Sequence, residues 1–233
     1  MSKSLPRFHL DPPPGFNGLD PQKPITFYQR FLPHWRQDGA TYFVTFRLGD
    51  SLPIEKLDQL RAMRDDAKLQ LKSVPEGRKQ NLLEQQSQKM IAMTEMCLDQ
   101  GMGSCLLRDP ELRRQLIGAL KYFDDDRYEI GSYVVMPNHV HVVLRPLPGK
   151  PRNSLEEILQ DRKRASSFAI GKLDGKRGSI WQAESYDRII RDPQHLWRCL
   201  QYIGKNPKKA NLSEEAYTLH LNPKWKSLGW DFE

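Results

Sequence analysis

The chain has 233 residues, 38% of them hydrophobic, which is enough to bury the core of one sizeable domain and excludes a disordered protein. Lysine and arginine outnumber aspartate and glutamate by 36 to 29, and residues 145–210 account for the whole excess, with 15 basic residues against seven acidic ones. No apolar run approaches the ~20 residues of a membrane span, and no signal-peptide pattern opens the chain. A cytoplasmic protein that binds nucleic acid, with no membrane partner, is therefore expected. A basic surface that is merely solvated is the plainer alternative.

The N-terminal 40 residues are rich in proline, with the run Asp11-Pro12-Pro13-Pro14-Gly15, and predict an arm with little core of its own. Residues 41–47 are dense in β-branched and aromatic side chains and predict a strand. From residue 54 to about residue 100, apolar residues recur three, four or seven positions apart, and Pro75-Glu76-Gly77 interrupts them. This pattern predicts an inserted helical hairpin that packs on its own domain.

The three cysteines, Cys97, Cys105 and Cys199, are odd in number and lack the spacing of a zinc site or a disulfide framework. The remaining elements follow in order. They are a helix from Asp109-Pro110 to about residue 123, strands over 128–136 and 139–145 around the turn Pro137-Asn138, a helix over 154–170, a basic loop over 171–179, a strand over 186–191, and a helix from Asp192-Pro193 to Asn206, before Pro207. This order predicts an α+β fold, a ferredoxin-like or RRM-like antiparallel sheet with helices packed on one face.

The sharpest motif runs from Met136 to Leu144 and contains His139-Val140-His141. Because side chains alternate along a strand, the two histidines point to one face and the neighbouring valines to the other. Two imidazoles side by side on a rigid strand suit one metal ion. A His-x-His pattern alone is a weak signal, so two unconnected histidines are the alternative. Its place at the start of an apolar strand favours the metal site.

Two histidines leave a divalent ion short of ligands. In the last predicted helix, Tyr202 and Asn206 are four residues apart and therefore share a face. The Asn206 amide oxygen would complete a site that suits Mg²⁺ or Mn²⁺, with Tyr202 beside the bound substrate. From spacing alone, a core aromatic at Tyr202 and a simple helix end at Asn206 are the plainer interpretations.

The segment from Val134 to His141 resembles the His-hydrophobic-His signature of the single-tyrosine HUH transposases. More narrowly, the chain resembles the REP-associated tyrosine transposases, because three further stretches match that subfamily in order and spacing. They are Trp181-Gln182, residues 186–192, and Tyr202-Ile203-Gly204-Lys205-Asn206-Pro207. The resemblance covers roughly residues 30–212. The hairpin over 54–100 and the proline-rich arm depart from the smallest members of the family.

The resemblance implies a bacterial enzyme that associates with the nucleoid when bound to DNA, with a catalytic domain over residues 41–212 and a tail over 213–233. It implies that His139, His141 and Asn206 bind Mg²⁺ or Mn²⁺ and that Tyr202 is the nucleophile. The implied reaction is cleavage and rejoining of single-stranded DNA through a 5′-phosphotyrosine, often beside a palindromic hairpin, by a monomer or homodimer. Tyr186 is the rival nucleophile, although its place on a predicted strand favours sheet packing.

Several basic residues are expected to contact DNA phosphates, which position a nucleic acid without reading its bases. They are Arg162, Lys163, Arg164, Lys172, Lys176, Arg177, Lys205, Lys208 and Lys209. For each of them a solvated surface charge is the alternative. In the tail, Trp225 and Trp230 are expected to cover the core, with base stacking as the alternative.

Two other functions stay open on the sequence. A protein that kept the fold but lost strand transfer would bind hairpin DNA without cleaving it. A metal-dependent hydrolase would use the histidine pair to activate water and would release a free 5′-phosphate without any protein-linked product.

Overall fold

The computed structural model describes residues 9–30, 33–175 and 178–233, so the predicted DNA contacts Lys176 and Arg177 lie outside the described residues. Within those ranges the strands are β1 (Thr26–Gln29), β2 (Pro33–Arg36), β3 (Tyr42–Arg47), β4 (Tyr128–Val135), β5 (His139–Pro146), β6 (Tyr186–Ile189) and β7 (Thr218–Leu221). The α-helices are α1 (Ile54–Ser73), α2 (Glu76–Asp99), α3 (Pro110–Lys121), α4 (Leu155–Asp174), α5 (Pro193–Lys209) and α6 (Pro223–Lys226).

Five strands form one antiparallel sheet in the order β6-β3-β5-β4-β7, and β1 pairs with β2 in a separate hairpin. β5 lies at the centre, paired with β3 on one side and β4 on the other. The predicted α+β class with an antiparallel sheet is confirmed. Short β7 was not foreseen, because its four residues, which pair with β4, carry no long alternating pattern.

Helices cover both faces of this sheet. On one face α3 and α4 pack against Val140, Val142 and their neighbours. On the other face α5 and the tail pack against Phe43, Val134 and Val143. The sequence placed the helices on one face only, whereas both alternating sets of β5 are buried, so each needs a cover. The histidines share the face that α5 covers.

Two helices run further than the sequence predicted. α4 continues to Asp174, so Lys172 lies on a helix and not in a loop. α5 passes through Pro207 and ends at Lys209, with the Ala210 amide donating to the Asn206 carbonyl. A proline removes one backbone donor, and this close to a helix end the loss is small enough for the helix to continue.

The N-terminal arm is packed against the tail. The Trp225 Nε1 donates to the Pro14 carbonyl at 2.9 Å, and the Trp230 Nε1 donates to the Asp11 carbonyl at 3.0 Å. Both tryptophans are buried, as the core-covering interpretation expected, so their rings are not available to bases. The arm also contains the β1–β2 hairpin, which its proline content did not suggest.

The α1–α2 insertion is a helical hairpin, as predicted, with a small apolar cluster of its own formed by residues such as Leu60, Met90 and Cys97. Cys97 and Cys199 are buried free thiols, and Cys105 is partly exposed. In the part of the chain that the structure describes, no helix combines the length and apolarity needed to cross a bilayer.

A buried ionic network ties β2 to the main sheet. His34 Nδ1 lies 2.7 Å from an oxygen of Asp187, and His34 Nε2 lies 3.1 Å from an oxygen of Glu184. Arg36 joins Asp187 to Glu156 on α4, with N–O distances of 2.5 Å to each carboxylate. Burial opposes the charge on His34, but the hydrogen bonds to Asp187 and Glu184 outweigh it and raise the pKa of His34 to about 9.

We predict a stability difference between two glycine-to-alanine variants. Gly131 lies at the irregularity in β4, where an added Cβ would come within 2.0 Å of the Trp225 ring, so Gly131→Ala should lower the free energy of unfolding by about 1–3 kcal/mol. The control is Gly118→Ala at an exposed position of α3, where an added Cβ would meet no atom within 4 Å and a gain of up to about 1 kcal/mol is expected. Urea denaturation measures both; an unchanged Gly131→Ala protein would contradict the packing.

A second prediction concerns pH. Because the pKa of His34 rises from 6.5 to about 9 on folding, its charge stabilises the fold fully below about pH 6.5, and that stabilisation is lost as the pH rises through about 9. The difference in unfolding free energy between wild type and His34→Gln should therefore shrink by about 2–3 kcal/mol between about pH 6 and pH 10. His220→Gln is the control, since burial lowers the pKa of His220, so this group contributes no stability that is lost as the pH rises. A difference that is constant with pH would contradict the network.

Candidate functional site

The two histidines open β5 directly after the Pro137-Asn138 turn, and both are almost fully buried. Their Nε2 atoms lie 3.0 Å apart, and their rings meet edge to face with centroids 4.7 Å apart. The alternation of β5 therefore brings both imidazoles to one point, under the cover of α5.

The orientation of His139 is set by its neighbour in sequence. The Asn138 amide nitrogen donates to the backbone carbonyls of Leu98 and Met102, which turns its oxygen towards His139. His139 Nδ1 lies 2.7 Å from that oxygen and so carries the proton that it donates. His139 Nε2 is consequently left with a lone pair that points at His141.

His141 is held in a similar way from β3. Its Nδ1 lies 2.7 Å from the Thr45 hydroxyl, its partner residue across the β3–β5 pairing. The Phe43 ring stacks on the His141 ring at 5.5 Å and fixes its plane. Both imidazoles are therefore orientated by contacts from the folded sheet, as metal ligands usually are.

Burial keeps both histidines neutral. It lowers the pKa of His139 to about 3, with a further contribution from Lys209. It lowers the pKa of His141 well below its usual range, assisted by His139, Arg188 and Lys209. Neutral imidazoles with lone pairs are the form in which histidine binds a metal.

α5 brings Tyr202 and Asn206 to the same point. The Tyr202 ring lies 5.1 Å from the His141 ring, and the Asn206 Nδ2 lies 3.3 Å from His141 Nε2. Asn206 is almost fully buried, and its Oδ1 has no hydrogen-bond partner within the described structure. The four-residue spacing thus places both side chains at the histidine pair, within one chain.

The donor set fits a divalent cation. Two ligand nitrogens bound at ~2.1 Å and at right angles to one ion lie ~3.0 Å apart, which is the separation of the two Nε2 atoms here. Without a cation, one imidazole must donate its proton to the other, because two facing lone pairs repel. The unsatisfied Asn206 oxygen supplies a third donor. Across the described ranges no three His, Cys, Asp or Glu residues form a metal-binding group.

The insertion covers the Tyr202 hydroxyl. This oxygen is buried beside Glu95 of α2 and Asn206, with no hydrogen bond of ordinary geometry. Asp99, one turn further along α2, forms an ion pair with Lys209 at 2.5 Å. Burial, followed by the carboxylates Glu95 and Asp99, raises the pKa of Tyr202 well above its usual value. The phenol is therefore protonated in this arrangement.

Tyr186, the rival nucleophile, lies on the same face of the sheet but further away. It pairs with Thr45, which in turn pairs with His141, so β3 separates Tyr186 from the histidines. Its side chain lines a cavity of about 320 Å³ between the sheet edge and the insertion. Ring contact with His141 distinguishes Tyr202 from Tyr186.

The described residues among the predicted DNA contacts fall into two groups, one buried and one exposed. Arg162 and Lys163 are buried and donate to backbone carbonyls, Arg162 to Ala119 and Lys163 to Gln182 and Ala183, so neither presents a charged group to solvent. Both sit on the inward side of α4, which the sequence count of basic residues did not reveal. The remaining described residues are exposed: Arg164, Lys172, Lys205, Lys208 and Lys209.

Sequence reasoning missed four residues that shape the site, namely Thr45, Asn138, Glu95 and Arg188. Thr45 and Asn138 carried a signal, because Thr45 lies on a predicted strand and Asn138 directly precedes His139. The pairing that brings Thr45 opposite His141 is seen only in the structure. Glu95 carried none, since it comes from the insertion. Arg188, whose guanidinium lies 4.9 Å from the Phe43 ring, adds positive charge beside the histidines.

No protein-family model matches the chain, and no curated protein does either. Among solved structures, the chain is similar to a REP-associated tyrosine transposase bound to a REP hairpin. The two share 18% sequence identity over 80% of this chain and 75% of that chain, with a TM-score of 0.42. A likeness at this level carries no conclusion about activity, and we infer function from the site itself.

We predict that changes at Asn206 separate metal binding from folding. Asn206→Asp places a buried carboxylate beside the histidines, so it should lower stability without metal and strengthen Mn²⁺ binding, because hard oxygen ligands favour Mn²⁺. Wild type should gain about 2.7 kcal/mol at a Mn²⁺ concentration of about 100 times its Kd, while His139→Ala should bind at least about tenfold more weakly. Thermal unfolding with and without Mn²⁺ measures all three, with His220→Gln as the control. An equal Mn²⁺ effect on every variant would contradict the site.

Proposed function

We propose that this protein is a metal-dependent single-stranded DNA endonuclease and strand transferase that acts at hairpin-forming sequences through a 5′-phosphotyrosine on Tyr202. The supporting observation is the convergence of a buried neutral imidazole pair, a buried amide oxygen without a partner, and a phenol in ring contact with His141. Few simple hydrolases need a tyrosine at that position, whereas covalent strand transfer requires a nucleophile there.

His139, His141 and Asn206 would hold Mg²⁺ or Mn²⁺, which when bound would withdraw electron density from the scissile phosphate and orient it. The positive charges of Arg188 and Lys209 lie close enough to lower the pKa of His141, so they are placed to bind a phosphate beside it. Lys209 is exposed and now paired with Asp99, and a phosphate would compete for it.

Tyr202 would attack the phosphorus atom with its phenolic oxygen. The new bond joins that oxygen to phosphorus as the phenolic proton leaves it, and the bond from phosphorus to the 3′-oxygen breaks. The 3′-oxygen takes up one proton and leaves as a hydroxyl, so one proton is lost and one is gained. Since the phosphotyrosine conserves the energy of the broken bond, another 3′-hydroxyl can attack it and reseal the strand without ATP. All four residues belong to one chain, so we propose a site formed in cis.

One observation favours a second candidate, a hairpin DNA-binding protein without strand transfer. The Tyr202 hydroxyl is buried under α2, and burial and the nearby carboxylates oppose its deprotonation. If α2 stays closed on DNA, the basic exposed surface would bind DNA while the nucleophile stayed covered.

A covalent-adduct assay tests the proposal. The protein is incubated with end-labelled single-stranded hairpin DNA and Mn²⁺, and protein-linked label is measured on denaturing gels. Wild type should form an adduct, and Tyr202→Phe should reduce it by at least about 10³-fold, because the nucleophilic oxygen is gone. Tyr186→Phe, which changes a half-buried tyrosine on the same face of the sheet, is the matched control and should keep the adduct.

The outcomes separate the candidates. Loss of the adduct in Tyr186→Phe instead of Tyr202→Phe would identify Tyr186 on β6 as the nucleophile. A free 5′-phosphate with no adduct would indicate a hydrolase. If wild type and Tyr202→Phe bind the hairpin equally and neither cleaves it with Mg²⁺ or Mn²⁺, the protein is a hairpin DNA-binding protein without strand transfer.

A further inference from the structure

A groove of about 890 Å³ lies outside the histidine site, between the β1–β2 hairpin, the outer face of α4 and residues 178–187. Tyr28 and Arg30 line it on the hairpin side. Its position follows from the fold, since β2 is anchored to β6 and α4 by the His34 and Arg36 contacts. The groove is therefore bounded by elements that are fixed relative to one another.

Three side chains form a row along the wall that α4 contributes. Arg164, Phe168 and Lys172 are four residues apart, so they share one helical face, and all three line the groove. Phe168 is 66% exposed, and the Lys172 ammonium lies 4.4 Å from its ring centroid. We call this row the α4 stripe. A large exposed aromatic between two cations is the arrangement that stacks a base and binds the phosphates on either side.

The acidic residues of the groove are bound within the protein. Glu156 and Asp187 form ion pairs with Arg36, and Glu184 lies 3.1 Å from His34, whose raised pKa keeps it charged at neutral pH. The lining contains these three carboxylates against six basic residues, Arg30, His34, Arg36, Lys163, Arg164 and Lys172. A polyanion would therefore meet a lining of net positive charge.

The groove leads towards the histidine site. It shares Gln182, Glu184 and Ser185 with the cavity of about 320 Å³ that lies under the insertion. That second cavity is lined by Thr45, which contacts His141, and by Glu95, which lies beside Tyr202. A chain that entered along α4 would thus pass the edge of the sheet and reach the cavity beside the insertion, whose lining residues Thr45 and Glu95 contact the histidine site.

We propose that this groove binds the unpaired strand that flanks the cleavage position, with one base stacked on Phe168 and its phosphates beside Arg164 and Lys172. The identity of the strand as DNA rests on the proposed function; the stacking site rests on the α4 stripe. A duplex fits less well, because its bases are stacked on each other and offer no free ring face along its length.

The test is the binding of fluorescein-labelled dT12 to the intact protein by anisotropy, in EDTA so that no strand is cut. Phe168→Ala should weaken binding about tenfold and leave the salt dependence unchanged, because a stacking contact releases no counterions. Arg164→Ala and Lys172→Ala should each reduce the slope of log K against log salt by about 0.7. A blunt 12-bp duplex should bind more weakly than dT12 and should not respond to Phe168→Ala.

Two matched controls lie on α3 and at its end. Tyr122→Ala removes an aromatic ring that is 75% exposed, and Arg114→Ala removes an exposed guanidinium, both outside the groove. Neither should change the affinity or the salt slope. Circular dichroism and thermal midpoints establish that each variant is folded.

An affinity of Phe168→Ala for dT12 within about twofold of wild type would overturn the proposal. Equal losses for duplex and single strand, or tighter binding of a matching U12 oligonucleotide than of dT12, would overturn it too. The proposed function fails separately, if wild type forms no adduct while Phe168→Ala still loses dT12 binding. Conversely, Phe168→Ala could keep its affinity for dT12 and still form an adduct at saturating DNA. That result would support the proposed enzyme activity and exclude the proposed binding groove.

Discussion

The site depends on two neutral imidazoles whose Nε2 atoms face each other at 3.0 Å inside the protein. Two facing lone pairs repel, so this position requires either the N–H proton of one neutral imidazole or a bound cation between the two nitrogens. The fold keeps the two rings in this arrangement. Asn138 and Thr45 hydrogen-bond to the Nδ1 atoms of His139 and His141, and Phe43 stacks on the His141 ring. Asn206 adds an oxygen that is satisfied by nothing else in the described structure.

The insertion contacts both the residue that orientates His139 and the proposed nucleophile Tyr202. Its second helix accepts a hydrogen bond from Asn138 at the Leu98 carbonyl, which orientates His139, and its acidic face places Glu95 beside Tyr202. The helix that orders one ligand is thus the helix that covers the nucleophile. In physical terms, the ligand geometry and the protonation of the phenol are coupled through α2, because displacing this helix would relax both.

Long periodic elements could be predicted from the sequence, whereas of the four-residue strands only β6 was predicted. The alternation in β5 placed His139 and His141 on one face of a strand, and the four-residue spacing in α5 placed Tyr202 and Asn206 on one face of a helix. Spacing alone did not join the two pairs; the family resemblance did, and the structure brings all four side chains together. The strands β1, β2 and β7 have four residues each, too few for a period to show. Arg162 was expected at the surface because charge is visible in a sequence, whereas the Ala119 carbonyl that binds it inside the protein is not. Glu95 escaped notice for a related reason, since the position of an inserted hairpin over the sheet depends on tertiary packing.

The N-terminal arm and the C-terminal tail contact each other although they are far apart in sequence. The indoles of Trp225 and Trp230 donate to backbone carbonyls more than two hundred residues earlier. The apolar cluster beneath α5 includes both tryptophans, so that layer is incomplete until the tail has been synthesised. A ribosome making this protein therefore releases β3, β4, β5 and the α3–α4 layer before α5, β7 and the two tryptophans. Until those later residues pack, the apolar layer that shields the imidazole pair is incomplete.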